Sequence, residues 1–320
     1  MSDSVFTPFI LGHADNLAYL PDQLGDQKII KIPMDSATIH IESTSVKGVS
    51  TSLSPSRFSR LLNLANGLAY GGGMGMPEWV MLDCALLPAF FAGFMGPAHY
   101  LTTGQFTFIN EQLNGVEAER SKRRVFVERS LGVTQGDLDP HEWFPLAEFC
   151  AIPRLAPQEI VGYSLYSLRR GLGVRSKAFG LWLLQHLGYQ RQVGVAQWTN
   201  PSAVRAHLRF GPLELIDPLT PSHTKAGETF IYRLRLPPSE ELLRRALGEI
   251  KSDKDEEGAH KSNDDLALKD SEWLSIEDTE WMLAQRDVHS RPYLLELRGK
   301  GDGLEALIAK TLAPSENVSS

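Results

Sequence analysis

The chain has 320 residues, 42% of them hydrophobic and 22% charged, with a formal net charge of -7. That length can bury one large core or two smaller ones, and the balance is globular rather than disordered or fibrous. The acidic excess argues against a general nucleic-acid binder, which needs a basic surface, so no nucleic-acid partner is expected.

Cys84 and Cys150 lie far apart in apolar surroundings. This argues against a disulfide scaffold or a cysteine zinc site and fits a reducing compartment. Met1–Gly12 lacks the basic start and apolar run of a signal peptide. The most apolar window, Val80–Ala98, is interrupted by Asp83, Pro88, Gly93, Gly96 and Pro97, which does not suit a membrane span. The expectation is a cytoplasmic protein with no membrane partner.

In chain order, Lys28–Ile32 and Thr38–Ile41 read as strands. Ser54–Tyr70 reads as a helix, with Ser54 as N-cap, Pro55 at N1 and Phe58, Leu61, Leu62, Ala65 and Leu68 at helical spacing. After the turn Gly71–Gly75, the apolar runs Trp79–Leu82 and Ala89–Met95 read as neighbouring buried strands, and Thr103–Asn110 as a further strand. Glu111–Pro140 is polar and charged. From Leu146 to Leu236 the order is strand (Phe149–Ile152), helix (Ala156–Leu187, broken near Gly171 and Gly173), strand (Gln192–Trp198), helix (Asn200–Phe210) and strand (Thr229–Leu236). That alternation argues for an α/β layer architecture. A short amphipathic helix follows from Ser239 to Ile250. Ser252–Asp265 is a charged run that reads as a solvated linker. The last segment, with Trp273, Trp281, Tyr293, Leu294, Leu295 and Leu297, is too short to bury much alone and is expected to pack on the main domain or on a partner.

The strongest chemical signal is Arg170-Gly171-Leu172-Gly173-Val174-Arg175, followed by Ser176 and Lys177. Free backbone N–H groups and the positive end of the dipole make a helix start an anion site, and glycine lets a phosphate approach. Downstream come an apolar helix, Gly188, the strand Val193–Ala196, and Asn200-Pro201-Ser202-Ala203-Val204-Arg205-Ala206-His207-Leu208-Arg209-Phe210-Gly211. Gly71–Gly75 lacks the Lys-Ser/Thr of a P-loop and reads as a flexible turn. His13, His40, His99, His141 and His186 show no metal-ligand spacing, so no metal is expected. Asp137, Asp139, His141 and Glu142 read as a solvated loop, or alternatively as the lining of an acceptor pocket for a cationic amine.

In this order the stretch from Leu146 to Leu236 resembles the acyl-CoA-binding half of the GNAT superfamily of N-acyltransferases. There the cofactor's pyrophosphate sits on a turn Q/R-x-x-G-x-G/A opening a long helix, and N-x-x-A-x-x-x-Y-x-x-x-G closes the site. The fold so implied is an α/β GNAT-like mixed sheet flanked by helices, with a small C-terminal extension. Its regions would be 1–140 on the acceptor side, 141–237 as the acyl-CoA-binding half, 238–265 as short helix and linker, and 266–320 as tail.

The resemblance implies acetyl-CoA or another acyl-CoA as substrate, held by Phe149, Cys150, Ala151, Ile152, Arg170, Gly171, Gly173, Val174, Arg175, Ser176 and Asn200. The backbone N–H groups of Phe149–Ile152 would polarise the thioester carbonyl. Glu148 would take the proton of a small-molecule or peptide amine that attacks directly, and His207 would protonate the leaving thiolate. The alternatives for these two are a strand-edge carboxylate facing solvent and a surface histidine.

The departures are clear. Arg175 stands where the family has Gly or Ala, and would either obstruct the cradle or pair with a phosphate. His207 replaces Tyr, and Gly211-Pro212 replaces Gly-Phe. The gap before Arg170 is long enough for a second alignment, with the phosphate turn at Pro153–Pro157. These departures keep open a catalytically inactive GNAT-like binding or scaffolding protein, with a protein partner on the C-terminal tail, and also an unrelated α/β enzyme.

Overall fold

The computed structural model describes residues 5–34, 55–69, 90–114, 137–153, 158–221, 226–250, 268–277, 292–300 and 303–311. The expected strands Thr38–Ile41 and Trp79–Leu82, the cap Ser54, the turn Gly71–Gly75 and the linker Ser252–Asp265 lie outside them, as does most of Glu111–Pro140. Two units form. One comprises Met1–Leu155, Gly162–Gly188 and Ser239–Glu249; the other comprises Ala156–Val161, Tyr189–Pro238 and Ile250–Ser320.

The first unit opens with β1 (Thr7–His13), a short helix α1 (Ala14–Ala18), the small hairpin β2 (Gln23–Leu24) and β3 (Gln27–Lys28), and β4 (Ile30–Met34). It continues through α2 (Pro55–Ala69), β5 (Phe90–Pro97), α3 (Thr103–Asn114), β6 (Trp143–Pro153) and the later part of β7 (Glu159–Ser167). Its main strands run in the order β4-β1-β5-β6-β7. The sheet is mixed: β1 is parallel to β4, with Phe9 opposite Ile30, while β1–β5 and β5–β6 are antiparallel.

Successive residues of a strand face opposite sides, and helices cover both. On one side α2 presents Phe58, Leu61, Leu62 and Ala65, all fully buried at the expected helical spacing. Phe58 meets Phe9 edge to face, with ring centroids 5.1 Å apart. On the other side α4 (Leu172–His186) packs Phe179 against Phe94 at 5.8 Å. It approaches β6 so closely at Gly180 that a side chain there would run into the ring of Phe149.

Two expectations are corrected here. Thr103–Asn110 is the helix α3 and not a strand. Its start is a reciprocal capping box: Gln105 N donates to Thr102 Oγ1 (3.3 Å) and Thr102 N donates to Gln105 Oε1 (2.8 Å). The helical reading of Ala156–Leu187 also fails in its first part, because Glu159–Ser167 is the strand β7. Its burial alternates, with Ile160, Ser164 and Tyr166 inside, and Leu168 N donates to Leu146 O of β6 at 2.8 Å. The outer edge of β6 has backbone groups that require partners, and this segment supplies them.

The second unit holds β8 (Arg191–Gln197), α5 (Pro201–Leu208), β9 (Leu213–Pro221), β10 (Ala226–Arg235), β11 (Leu268–Ser275), β12 (Pro292–Lys300) and β13 (Gly303–Thr311). The strands run β8-β10-β9-β12-β13-β11, each pair antiparallel. The C-terminal segment therefore pairs as strands with β9 of this unit, Leu294 lying opposite Leu213. Arg233 links three strands here: Nε meets Glu159 Oε1 at 2.6 Å and Nη1 meets Glu214 Oε1 at 2.9 Å. The helix α6 (Ser239–Leu247) belongs to the first unit, where it packs on α4.

Thr102→Ala removes one half of the α3 capping box. It should cost about 1 kcal/mol in urea unfolding and speed amide exchange through α3; unchanged exchange would show that the box contributes nothing.

Candidate functional site

The strand that runs into the Arg170–Gly173 turn is β7, and α4 opens directly after it. Gly171 is the N-cap with φ +86, and no side chain caps the helix. That left-handed backbone favours glycine, and nothing lies within 4 Å of where a Cβ would stand. Leu172 N closes the turn on Arg169 O at 3.2 Å. There is no acidic residue in the first turn of α4. Arg169 donates from Nη1 to Tyr100 O at 3.3 Å and lies over the Tyr100 ring, and Arg169, Arg170 and Gly171 are all exposed. Gly173 abuts Ser167 at the end of β7. The alternative turn at Pro153–Pro157 precedes a strand and opens no helix, and most of it lies outside the described residues.

Arg175 neither blocks the helix start nor points out toward it. Its Nε donates to Ala246 O at the end of α6 (2.9 Å), and its guanidinium sits 4.6 Å from the centroid of the Phe94 ring. Gly248, with φ +78, closes α6 beside it. A cation at a helix C-terminus is favoured by the dipole, and its flat face suits an aromatic ring. Ser176 and Lys177, expected as further phosphate contacts, are both fully buried. Burial holds the Lys177 amine well below the usual lysine range. Both lie on the inner side of α4, whereas Arg170 and Gly171 form its exposed edge.

Glu148 is the second feature. It is fully buried on β6, which overturns the reading of a solvent-facing carboxylate. Ser164 Oγ on β7 donates to its Oε1 at 2.8 Å, and Asn66 on α2 also stabilises the charged form. Loss of hydration outweighs both and raises the carboxyl from 4.5 to about 7. Glu148 Oε2 and Asn66 Nδ2 complete no hydrogen bond with any described residue.

The backbone of Phe149, Cys150, Ala151 and Ile152, expected at the thioester, belongs to an inner strand of the sheet. β6 lies between β5 and β7, with Phe149 opposite Ala92 and Ala151 opposite Phe90. In the second unit, Asn200 Oδ1 caps α5 by accepting from Ala203 N at 3.2 Å. His207 is buried and not a surface residue, its ring 5.0 Å from that of Tyr232. Gln192 Nε2 donates to the Tyr232 hydroxyl at 3.3 Å, and burial raises that phenol's pKa.

Sequence reasoning passed over Asn66, Ser164, Tyr232 and Gln192. Asn66 carried a signal, as a polar residue four places after Leu62 on the apolar stripe of α2. Ser164 had none while its segment read as helix. Among the described residues, no helix is long and apolar enough to cross a membrane, and no group of three or more His, Cys, Asp or Glu side chains could hold a metal.

No family model matches the sequence, and no curated protein matches it. Solved structures of acetyltransferases are similar to part of it. One described as of the GNAT family, from Desulfovibrio desulfuricans, has 16% identity and a TM-score of 0.26 over 31% of this chain and 66% of that one. Nourseothricin acetyltransferase has 12% identity and a TM-score of 0.26 over 31% and 61%. The chain thus spans just under two thirds of either. The ribosomal-protein-S18-alanine N-acetyltransferase of Escherichia coli has 15% identity and a TM-score of 0.27 over 45% of this chain and 94% of its own.

Two outcomes are expected. Because its folded pKa is raised, Glu148 contributes stability that is complete below about pH 4.5 and lost as pH rises through about 7. Relative to Glu148→Gln, wild-type unfolding free energy should fall by about 3 kcal/mol across that window; a flat difference would show an ordinary carboxylate. Arg175→Ala should lower stability by about 1–3 kcal/mol, read by urea unfolding, through loss of the α6 contact.

Proposed function

We propose that this protein is an acyl-CoA-dependent N-acyltransferase whose first unit receives the pyrophosphate of acyl-CoA on the Arg170–Gly173 turn. The observation that carries this reading is the start of α4. A long helix opens on a left-handed glycine with no side-chain cap and no acidic first turn, beside an exposed Arg170. Its Arg170 and Gly173 have the spacing of the GNAT motif. Backbone N–H groups and the dipole favour an anion there, and Arg170 adds a charge-assisted hydrogen bond. Arg175, tied to α6 and Phe94, stands outside the cradle, so its bulk is compatible with the small residue expected at that place.

The role expected of the Phe149–Ile152 backbone passes to β7, the strand that enters the turn. The amine acceptor attacks the thioester, and Glu148 takes its proton; a carboxyl poised near neutrality suits that step. Acetyl-CoA and longer acyl-CoAs are equivalent at a phosphate turn, so chain length lies elsewhere. A protein that binds CoA without acyl transfer is the second reading, favoured by the complete burial of Glu148.

Thermal unfolding with CoA, acetyl-CoA and longer acyl-CoAs tests the proposal. Ligand at a hundredfold over Kd adds about 2.7 kcal/mol, so Tm should rise by several degrees. Arg170→Glu should abolish that rise at unchanged Tm of the free protein, and Arg175→Ala should lower the free Tm yet keep the rise. No shift with millimolar ligand would remove the acyl-CoA reading. A shift without transfer to any amine tried would leave the second.

A further inference from the structure

The polar group beneath α2 is more specific than a buried carboxylate alone. Three side chains from three elements converge: Glu148 of β6 (0% exposed), Ser164 of β7 (8%) and Asn66 of α2 (4%). Their surroundings are apolar, with Phe9, Phe58, Leu62 and Ala65 all buried on the same side of the sheet. The Ser164 hydroxyl occupies Oε1 at 2.8 Å, which fixes the carboxyl plane and leaves Oε2 without a partner among the described residues. Asn66 is close enough to favour the charged carboxylate, although its Nδ2 completes no hydrogen bond. A buried polar atom without a partner is costly, and Oε2 is the carboxylate oxygen left in that state among the described residues.

We infer that Ser164, which holds Oε1, and Asn66, which favours the charged carboxylate, are positioning residues for Glu148 and leave Oε2 as the oxygen that takes the proton of the acceptor amine. This rests on the acyltransferase reading of the same unit. In the step, the amine nitrogen bonds to the thioester carbonyl carbon, and the C–S bond breaks with its electron pair on the CoA sulfur. The nitrogen's proton passes to Oε2. Ser164 and Asn66 both favour the ionised carboxylate, so each keeps Glu148 a usable base at neutral pH. The other ionisable groups on the surrounding elements are Cys150 on β6, Glu159, Tyr163 and Tyr166 on β7 and His13 at the end of β1; the described side chains of α2 and the whole of β5 contain none.

The test is the pH profile of kcat/KM for Ser164→Ala and Asn66→Ala, with Ser164→Thr as the conservative variant and circular dichroism as the folding control. The acid limb should move up by about one unit in each alanine variant, a tenfold loss near pH 6 that vanishes at high pH. Ser164→Thr should restore it, and Glu148→Gln should remove the limb. A limb that stays in place while rates fall uniformly would overturn the inference. Where no acyl transfer is found, the same question is read without turnover. The pH midpoint of the stability difference between each protein and its Glu148→Gln counterpart should rise in the alanine variants. A risen midpoint sustains the positioning of Glu148 while the acyltransferase reading fails; an unmoved one overturns the inference itself.

Discussion

In the first unit, the pleat of β6 governs the geometry of both faces of the sheet. Strands on either side engage its backbone, and a helix covers each face, so adjacent side chains must enter different cores. Phe149 goes to the α4 side, where Gly180 makes room for its ring. Glu148 goes to the α2 side, where it is fully buried and, among the described residues, Ser164 and Asn66 favour its charged form. Placing a carboxylate one residue from a core phenylalanine in a doubly covered strand is therefore what raises its pKa. A charge here costs folding energy, and the same cost brings the carboxyl's proton exchange near neutral pH.

The start of α4 follows a related economy of contacts. Three arginines lie around the turn, and each has a different task. Arg169 is fastened to Tyr100, and Arg175 is fastened to Phe94 and the end of α6. Arg170 remains exposed beside Gly171. A residue that looked like an obstruction in the motif is thus a tie between two helices. Its charge is satisfied by a helix end rather than by a ligand, and this leaves the exposed rim of the turn clear.

The second unit has its own polar anchors. Arg233 of β10 bonds to Glu159 of β7 and Glu214 of β9, while Tyr232, its neighbour on the opposite face, packs against His207 and accepts from Gln192. The C-terminal strands lengthen this sheet through β12, with Arg298 lying over Trp273 at 3.7 Å and bonded to Glu305 at 2.8 Å. Trp273 is in this way part of a strand surface, and Trp281 lies outside the described residues.

What the sequence determined by itself was local. Apolar spacing marked α2, Asn200 marked the start of α5, and glycines with flanking arginines marked the start of α4, because helix periodicity, capping and left-handed backbone depend on neighbours a few residues apart. Thr102 and Gln105 were equally legible as a capping box, but the alternation of Phe106 and Phe108 masked them. Only the tertiary structure decided that Glu159–Ser167 is a strand, since that follows from the open edge of β6. Only it decided that Glu148 is buried beneath Asn66, that Arg175 belongs to α6, and that Ser176 and Lys177 turn inward. Each of these depends on a partner distant in the chain, and desolvation, which sets the chemistry of Glu148, has no signature until those partners meet.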